Sequence, residues 1–251
     1  WSADAVSLLT KNQLKVFNAD QMGVMNYQQI DALAYARKLG LLSLGQIASI
    51  DPNTISSVDK STITKLSAAQ ISVLTTAQVA ALGTAQIQAI DATDIRTMSA
   101  DQIAALSPTQ AAALTTSQIA NLGTRLIRSL SASAIATMSV TQIASLSVGQ
   151  VAQLKMEQAD ALTDDQVLAL GTKASSLYLS PVILDLNHDG KFSVSVDNGV
   201  RFDMKSSGSL LKTAWVNAND GLLARDINGD GIINNGSELF GDSTKLPNGK
   251  F

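Results

Sequence analysis

The octapeptide Ser67-Ala-Ala-Gln-Ile-Ser-Val-Leu74 is followed at once by Thr75-Thr-Ala-Gln-Val-Ala-Ala-Leu82, and the two share one pattern. That pattern continues without a slip from Ser43 to Leu170, a span of 128 residues or 16 octapeptides. Position 8 is aliphatic or Met in all 16, position 5 is Ile or Val in 14, and position 4 is Gln in 11. Earlier octapeptides begin at Ser2, Thr10, Asn18 and Asn26. A nine-residue segment, 34–42, then shifts the register by one residue.

A period of eight does not suit one long helix. An α-helix turns about 100° per residue, so eight residues move the apolar stripe by about 80° and wind it around the helix. Position 1 is Ser, Thr or Asp in 13 of the 16 octapeptides, and Gln three residues later completes the pattern of a capping box. Pro52 and Pro108 stand at position 2, the first helical position, where a missing N–H costs nothing. Gly83 and Gly123 at position 1 predict a left-handed residue that ends the preceding helix.

These signals predict one short helix per octapeptide, with position 1 both ending one helix and capping the next. Such helices are too short to be stable alone. Stacking with positions 5 and 8 inward predicts a solenoid of short helices. One continuous helix, or a β-solenoid with eight-residue rungs, remains open as an alternative. The expected fold class is mainly α, with the solenoid followed by a small α+β module.

Composition excludes several classes of function. The 251 residues include 18 Lys or Arg, 21 Asp or Glu, one His and no Cys, for a net charge of −3. A nucleic-acid binder needs a clustered basic surface, which this charge argues against. Without Cys, disulfides and thiolate metal sites are excluded. The sequence has no run of 18 apolar residues, so no membrane span is expected, and no signal peptide is visible. Lys250 and Phe251 stop without an obvious domain end, and we therefore expect a fragment of a longer protein.

The composition changes near residue 180. The last 71 residues, from Pro181 onward, hold 9 of the 21 acidic residues and 9 of the 16 Gly. The preceding residues are rich in Ala, Ser, Thr, Gln, Ile and Leu. The predicted organisation therefore has four parts. Octapeptides in a first register occupy residues 1–33, and a register-shifting insert occupies residues 34–42. The main octapeptide array follows at residues 43–180, and an acidic module at residues 181–251.

Two loops of the acidic module read D-x-N-x-D-G, the start of an EF-hand-type calcium loop. Oxygen atoms at positions 1, 3 and 5 converge when such a loop coils, Gly at position 6 permits the turn, and the carbonyl of position 7 adds a ligand. Hard oxygen donors without His or Cys favour Ca²⁺ over zinc. The first predicted site comprises Asp185, Asn187, Asp189 and the carbonyl of Lys191. The second comprises Asp226, Asn228, Asp230, the carbonyl of Ile232, Asn234 through water, and Glu238.

Neither loop has the usual Glu at position 12, where Val196 and Ser237 stand. Glu238, at position 13, is therefore the expected closing ligand of the second loop. His188 occupies position 4 of the first loop, which normally faces solvent, so we expect a bystander rather than a catalyst. Trp215 and Phe240 are predicted to be core residues.

The run Pro181-Val-Ile-Leu-Asp-Leu-Asn-His-Asp-Gly190, together with Asp220 to Asp242, resembles secreted RTX (repeats-in-toxin) proteins. The similarity is greatest to the calcium-dependent self-processing module of the iron-regulated RTX proteins, and it covers residues 181–251 but not the octapeptides. It implies type I secretion from a bacterium, calcium-triggered folding outside the cell, and autocleavage of an Asp–Pro bond at the start of the module. Here Ser180 precedes Pro181 and has no carboxylate to form the anhydride, so we expect no self-cleavage.

The expected function is that of a non-enzymatic, calcium-binding part of an extracellular RTX-type protein, with the octapeptides as a helical spacer or scaffold. One alternative is an autocatalytic self-processing module of the Asp–Pro type. Another is an adhesin-like solenoid whose exposed positions 2, 3 and 6 bind a protein or cell-surface partner. No nucleic-acid partner and no membrane span are expected.

Overall fold

A computed structural model of the chain describes residues 1–176, 183–184, 186, 188, 194–202, 211–216 and 221–239. The chain divides into two compact units, Trp1–Ala169 and Leu170–Phe251. The described residues are mainly helical. The predicted domain boundary, between residues 180 and 181, lies outside the described residues.

Each octapeptide of the first unit forms one short helix, and neither a continuous helix nor a β-solenoid is found there. The α-helices are α1 (Ala3–Leu8), α2 (Lys11–Lys15), α3 (Ala19–Gly23), α4 (Tyr27–Tyr35), α5 (Leu44–Ala48), α6 (Pro52–Ser57), α7 (Lys60–Ile63), α8 (Ala68–Ser72), α9 (Thr76–Ala81), α10 (Thr84–Ala89), α11 (Ala100–Ala104), α12 (Pro108–Ala113), α13 (Thr116–Asn121), α14 (Ala132–Thr137), α15 (Val140–Ala144), α16 (Val148–Val151), α17 (Met156–Asp160) and α18 (Asp164–Leu170). The 3₁₀ helices are Leu39–Leu41, Ile95–Thr97, Ile127–Ser129, Gly171–Ser176 and Gly236–Glu238. No helix in the described part of the chain is long and apolar enough to cross a bilayer.

The α-helices begin where the sequence predicts, at position 2 after residue 1 of the octapeptide, whereas the 3₁₀ helices Ile95–Thr97 and Ile127–Ser129 begin at position 5. In α8 the Ser67 Oγ accepts a hydrogen bond from the Gln70 N–H at 3.3 Å, and the Gln70 Oε1 accepts from the Ser67 N–H at 3.1 Å. This reciprocal pair satisfies two donors that a helix N-terminus otherwise leaves free.

The helices end differently from the prediction. Gly83 has φ −73° and ψ 161°, which is an extended conformation. The prediction of a left-handed residue at position 1 is therefore wrong for Gly83. The preceding residue, Leu82, is also extended and ends α9. Position 8, rather than position 1, therefore ends this helix. Two consecutive extended residues redirect the chain without any positive φ, and glycine is therefore not required at position 1.

The apolar positions form the core of the first unit, as predicted. Positions 5 and 8 from Ile47 onward are buried throughout the array except at Leu154 and Val167, which are half-buried. Fully burying one such side chain contributes about 1.5–3 kcal/mol. Helices of five or six residues are thus stabilised by packing rather than by their own hydrogen bonds.

The glutamines at position 4 connect octapeptides that are distant in the sequence. The Gln118 Nε2 donates to the carbonyl oxygens of Ile87 and Ile90, both at 2.8 Å, which lie 31 and 28 residues earlier. Ten of the eleven reach a position-8 carbonyl 28 residues earlier, and all eleven side chains are buried: Gln46, Gln70, Gln78, Gln86, Gln102, Gln110, Gln118, Gln142, Gln150, Gln158 and Gln166. Each octapeptide therefore packs on the one four units before it, and four octapeptides complete one turn of a helical solenoid.

The extra residue of the register-shifting insert lies where α4 ends. After α4, the Lys38 N–H donates to the Leu33 carbonyl at 2.7 Å and the Arg37 N–H to the Ala34 carbonyl at 3.0 Å. These two bonds form a Schellman motif, with Arg37 left-handed at φ 57°. The extra residue lengthens the Gln46 contacts to 32 and 29 residues, with Leu14 and Phe17, and the stacking continues.

The described part of the second unit contains two antiparallel strand pairs. β1 (Ile183–Leu184) pairs with β4 (Gly221–Leu222), with Leu184 opposite Gly221. β2 (Val194–Phe202) pairs with β3 (Leu211–Val216), with an irregular register between Ser195 and Val200. The first pair places the residues that precede each predicted calcium loop side by side.

Candidate metal centre

The second predicted loop is closed at its base by the main chain. The Arg225 N–H donates to the Glu238 carbonyl at 2.7 Å, and Ala224 and Leu239 form an isolated antiparallel bridge. These contacts join the residues just before Asp226 to those around Glu238. The thirteen-residue loop therefore begins and ends at one place.

The start of this loop is a tight coil around the Asp226 carboxylate. Its Oδ1 accepts from the Gly229 N–H at 2.6 Å, and its Oδ2 accepts from the Gly231 N–H at 2.8 Å. Gly229 and Gly231 have φ values of 75° and 79°, a region that other residues adopt only with strain. The left-handed Gly231 agrees with the tight turn predicted at position 6, whereas the left-handed conformation at position 4 was not predicted.

The Asp230 carboxylate is held by three donors. Its Oδ1 accepts from the Ile232 N–H at 2.8 Å, while its Oδ2 accepts from the side-chain amides of Asn228 and Asn234, at 3.0 and 2.8 Å. The amide of Asn234, then the Ile232 N–H, then the amide of Asn228 hold the pKa of Asp230 below its ordinary value. The carboxylate therefore stays ionised at neutral and mildly acidic pH.

Glu238 closes the loop from its other end. Its side chain is 4% exposed, and its two carboxylate oxygens accept from the Ile227 N–H at 3.1 Å and the Asn234 N–H at 2.6 Å. It ends the 3₁₀ helix Gly236–Glu238, which the Asn235 side chain caps through the Ser237 N–H at 3.0 Å. Position 13 thus lies against positions 2 and 9, as a closing residue requires.

The donor set suits a hard cation. Asn228, Asp230, Asn234 and Glu238 share one hydrogen-bond network, and the Ile232 carbonyl belongs to it through the Asn234 amide at 3.2 Å. The Asp226 carboxylate bonds separately, to the N–H groups of Gly229 and Gly231 in the same loop. Within the described part of the chain, no Lys, Arg or His nitrogen lies within 4.0 Å of the Asp226, Asp230 or Glu238 carboxylates. Among the same residues, no three Asp, Glu, His or Cys side chains gather closely enough to hold a metal by themselves. Amide and main-chain oxygens would have to complete the coordination, which is the ligand set that Ca²⁺ prefers.

The predicted ligands of the first loop, Asp185, Asn187, Asp189 and Lys191, lie outside the described residues. Of its neighbours, Leu186 packs closely on Gly221, where a Cβ would lie 3.0 Å from the Leu186 Cδ1.

His188 is exposed and has φ 61°, so position 4 is left-handed in this loop, as Gly229 is in the second. The main chain of Trp215 pairs with Ser195 in the β2–β3 pair. Nothing in the described part of the chain tests its predicted place in a core, and Phe240 lies outside the described residues.

Comparison with known proteins gives two family matches and one partial relative. Residues 182–250 match the SPM domain family, and residues 87–124 match the ALTTAQ repeat family. The chain is 49% identical over 88 residues to the iron-regulated protein FrpA of Neisseria meningitidis serogroup C. That alignment covers 34% of this chain and 8% of FrpA. The chain thus joins ALTTAQ-type repeats to an SPM-type domain, a combination that fits an FrpA-like protein.

Proposed function

We propose that the second unit is a calcium-dependent folding module of a secreted, RTX-like protein and that the octapeptide solenoid is its scaffold. The buried carboxylate of Glu238 carries this proposal. It lies against a loop that already holds Asp226 and Asp230, and no Lys, Arg or His nitrogen of the described residues lies within 4.0 Å of any of the three carboxylates. The similarity to FrpA supports the RTX-like and secreted parts of the proposal.

The charge of this loop supplies the physical reason. Asp230 and Glu238 both accept hydrogen bonds from Asn234, one from its side chain and one from its main chain, so two carboxylates converge on one residue. Burying a carboxylate without a counter-charge is costly, and hydrogen bonds from neutral amides offset only part of that cost. A divalent cation among these oxygens would relieve the repulsion and connect the two ends of the loop.

The residues that would hold the ion are those of the second predicted site. Asp226, Asn228, Asp230 and Glu238 would offer side-chain oxygens and Ile232 its carbonyl, while Asn234 would act through a water molecule. Calcium supplies a positive charge that binds the folded loop only. By mass action, a concentration 100 times the Kd stabilises the folded state by about 2.7 kcal/mol. Low calcium inside a cell would leave the module loose for export, and millimolar calcium outside would order it.

A second ion at the first loop is part of the same proposal. It would use Asp185, Asn187, Asp189 and the carbonyl of Lys191. Support comes from the shared D-x-N-x-D-G pattern and from the left-handed conformation of His188, which matches Gly229. The β1–β4 pair sets Ile183 and Leu184, which precede the first loop in the sequence, opposite Leu222 and Gly221, which precede the second.

The solenoid is proposed as a scaffold rather than an adhesin. Its exposed positions 2, 3 and 6 carry mostly Ala, Ser and Thr, which offer few charged or aromatic groups for a partner. The burial of both apolar positions and of every position-4 Gln in the main array makes a continuous, self-stacking rod of repeats.

Calcium titration of the full chain tests the metal proposal. We expect heat of binding in calorimetry and a rise of several degrees in the Tm of the second unit when calcium replaces a chelator. Glu238→Gln and Asp230→Asn each remove one charge from the loop and should abolish most of that rise. Asp101→Asn, on the exposed surface of α11, is the matched control and should respond like the unmodified chain. Equal responses in all four proteins, or no heat at millimolar calcium, would contradict the proposal.

We also propose that the chain does not cleave itself. Ser180, which lies outside the described residues, cannot supply the carboxylate that an Asp–Pro cleavage needs. Incubation with calcium followed by a denaturing gel and mass spectrometry should show one intact chain. Fragments of residues 1–180 and 181–251 would show instead that the self-processing alternative is correct.

A further inference from the structure

Position 7 of an octapeptide faces the preceding turn of the solenoid. The Thr97 Oγ1 lies 3.1 Å from the Ala68 carbonyl oxygen, and the Thr137 Oγ1 lies 3.1 Å from the Pro108 carbonyl oxygen. Each hydroxyl also has a closer acceptor in its own octapeptide, the carbonyl of Asp94 at 2.7 Å or of Ala134 at 2.9 Å. Both threonines stand at position 7, and the Ala68 and Pro108 carbonyls lie 29 residues earlier. A side chain at this position therefore lies beside the preceding turn, although Thr97 and Thr137 themselves remain exposed.

In the first turn this position is bulky, apolar and exposed. Leu8, Val16 and Val24 stand at position 7 of the first three octapeptides, and they are 79%, 77% and 83% exposed. In the main array, position 7 is Ala, Ser or Thr in 12 of 16 octapeptides. Val73 shows that a branched apolar side chain also fits at this position inside the stack, where it is half-buried. We call the surface formed by Leu8, Val16 and Val24 the N-terminal face.

Two glutamines of the first turn, Gln13 and Gln21, have side-chain N–H groups without an acceptor in the described part of the chain. The Gln13 Oε1 accepts from the Thr10 N–H at 2.8 Å and the Gln21 Oε1 from the Asn18 N–H at 3.0 Å, so both complete their own capping boxes. Within the described part of the chain, neither side-chain Nε2 has an acceptor. In the later turns the same Nε2 donates to carbonyls 31 and 28 residues earlier.

Gln29 shows which acceptor this surface takes. Its Nε2 donates to the Trp1 carbonyl at 2.7 Å, 28 residues earlier, the same relation that joins Gln118 to Ile90. Trp1 directly precedes Ser2, the first residue of an octapeptide, so it stands at position 8 in the repeat register. The Trp1 carbonyl thus accepts from Gln29 in the same way that position-8 carbonyls accept from the glutamines of later turns.

We propose that the N-terminal face is a stacking surface for one further turn of octapeptide repeats, joined through Trp1. Such a turn presents the carbonyls of positions 5 and 8 to Gln13 and Gln21, and it covers part of Leu8, Val16 and Val24, as the stack covers part of Val73. Two copies of the chain meeting face to face through these surfaces would set amide donors against amide donors. That arrangement brings no main-chain carbonyl to these donors, so the carbonyl edge of a repeat turn is the better complement.

A fusion protein tests this surface on the full chain. A copy of residues 67–97 is placed ahead of Trp1, which then replaces Met98 at position 8 of the added turn. We expect amide hydrogen exchange in residues 2–25 to slow by about tenfold or more relative to the unfused chain, and the Tm of the array to rise.

Variants separate stacking from general stabilisation. Leu8→Ser, Val16→Ser and Val24→Ser combined should leave the Tm of the unfused chain unchanged, because these side chains are exposed there, and should remove most of the gain in the fusion. Val148→Ser, an exposed apolar residue at position 2, should leave the gain intact. The proposal is overturned by unchanged exchange in the fusion, by equal effects of the triple variant on both proteins, or by sedimentation showing that the unfused chain dimerises through this face.

Discussion

The side-chain amide of Gln118 donates to the carbonyl oxygen of Ile90, 28 residues earlier, at 2.8 Å. The oxygen of the same amide accepts from the Thr115 N–H at 2.9 Å. One buried side chain therefore caps the start of its own helix and the end of a helix in the preceding turn. Position 4 needs both a donor and an acceptor, and glutamate at neutral pH has no donor. This double role explains why Gln rather than Glu recurs there.

Gln118→Ala should destabilise the array by about 3 kcal/mol, because it leaves buried main-chain groups of two turns without partners. Urea unfolding followed by far-ultraviolet circular dichroism measures the loss. Gln13→Ala is the matched control, since Gln13 makes the same capping box but no contact with a preceding turn. A loss in Gln13→Ala as large as in Gln118→Ala would show that capping alone explains the glutamines.

Arg37→Gly should stabilise the array by about 1 kcal/mol. Arg37 has φ 57° at the end of α4, where a residue with a Cβ is strained and glycine is not. Arg37→Ala retains the Cβ and should bring no such gain. Thermal unfolding of the three proteins checks the order, and a lower Tm for Arg37→Gly would contradict the strain argument.

The array should lose stability in acid partly through two capping carboxylates. Hydrogen bonds from Ser61 lower the pKa of Asp59, and those from Thr93 lower the pKa of Asp91, both from an ordinary value of 3.8. A lowered pKa in the folded state means that this contribution is present above the ordinary pKa and is lost as pH falls through the folded-state value. Replacing both by Ser, the commonest cap in this repeat, should flatten the decline of Tm below about pH 4. An unchanged decline in melts from pH 7 to pH 2.5 would contradict it.

Replacement of glycine by alanine should have opposite effects at Gly231 and Gly45. Gly231 has φ 79°, so Gly231→Ala should strain the second predicted calcium loop by about 1 kcal/mol and weaken the proposed calcium binding in calorimetry. Gly45 lies inside α5, and a Cβ added there would meet no atom within 4 Å, so Gly45→Ala should raise the Tm of the array. Stronger calcium binding by Gly231→Ala would show that the left-handed turn does not belong to the binding conformation.

Much of the local structure followed from short-range chemistry. A capping residue at position 1, Pro52 and Pro108 at position 2 and apolar residues at positions 5 and 8 predicted where helices begin and which side chains are buried. Gly83 misled the prediction because glycine also tolerates extended backbone, and the sequence does not reveal which of its conformations a turn uses.

The candidate site was predicted in part. The D-x-N-x-D-G pattern indicated the coil around Asp226, since its hydrogen bonds span only three and five residues. Contacts from Glu238 to Ile227 depend on closure of the whole loop, so the sequence could suggest Glu238 but not its burial.

The sequence by itself determined the unit of this fold, a short capped helix of eight residues with two buried apolar positions, because caps and periodicity act within one helical turn. The tertiary structure alone decided that four octapeptides make one turn and that Gln118 meets Ile87 and Ile90. Those contacts depend on the sum of all the angles between successive helices, and small differences in each angle add up over 28 to 31 residues.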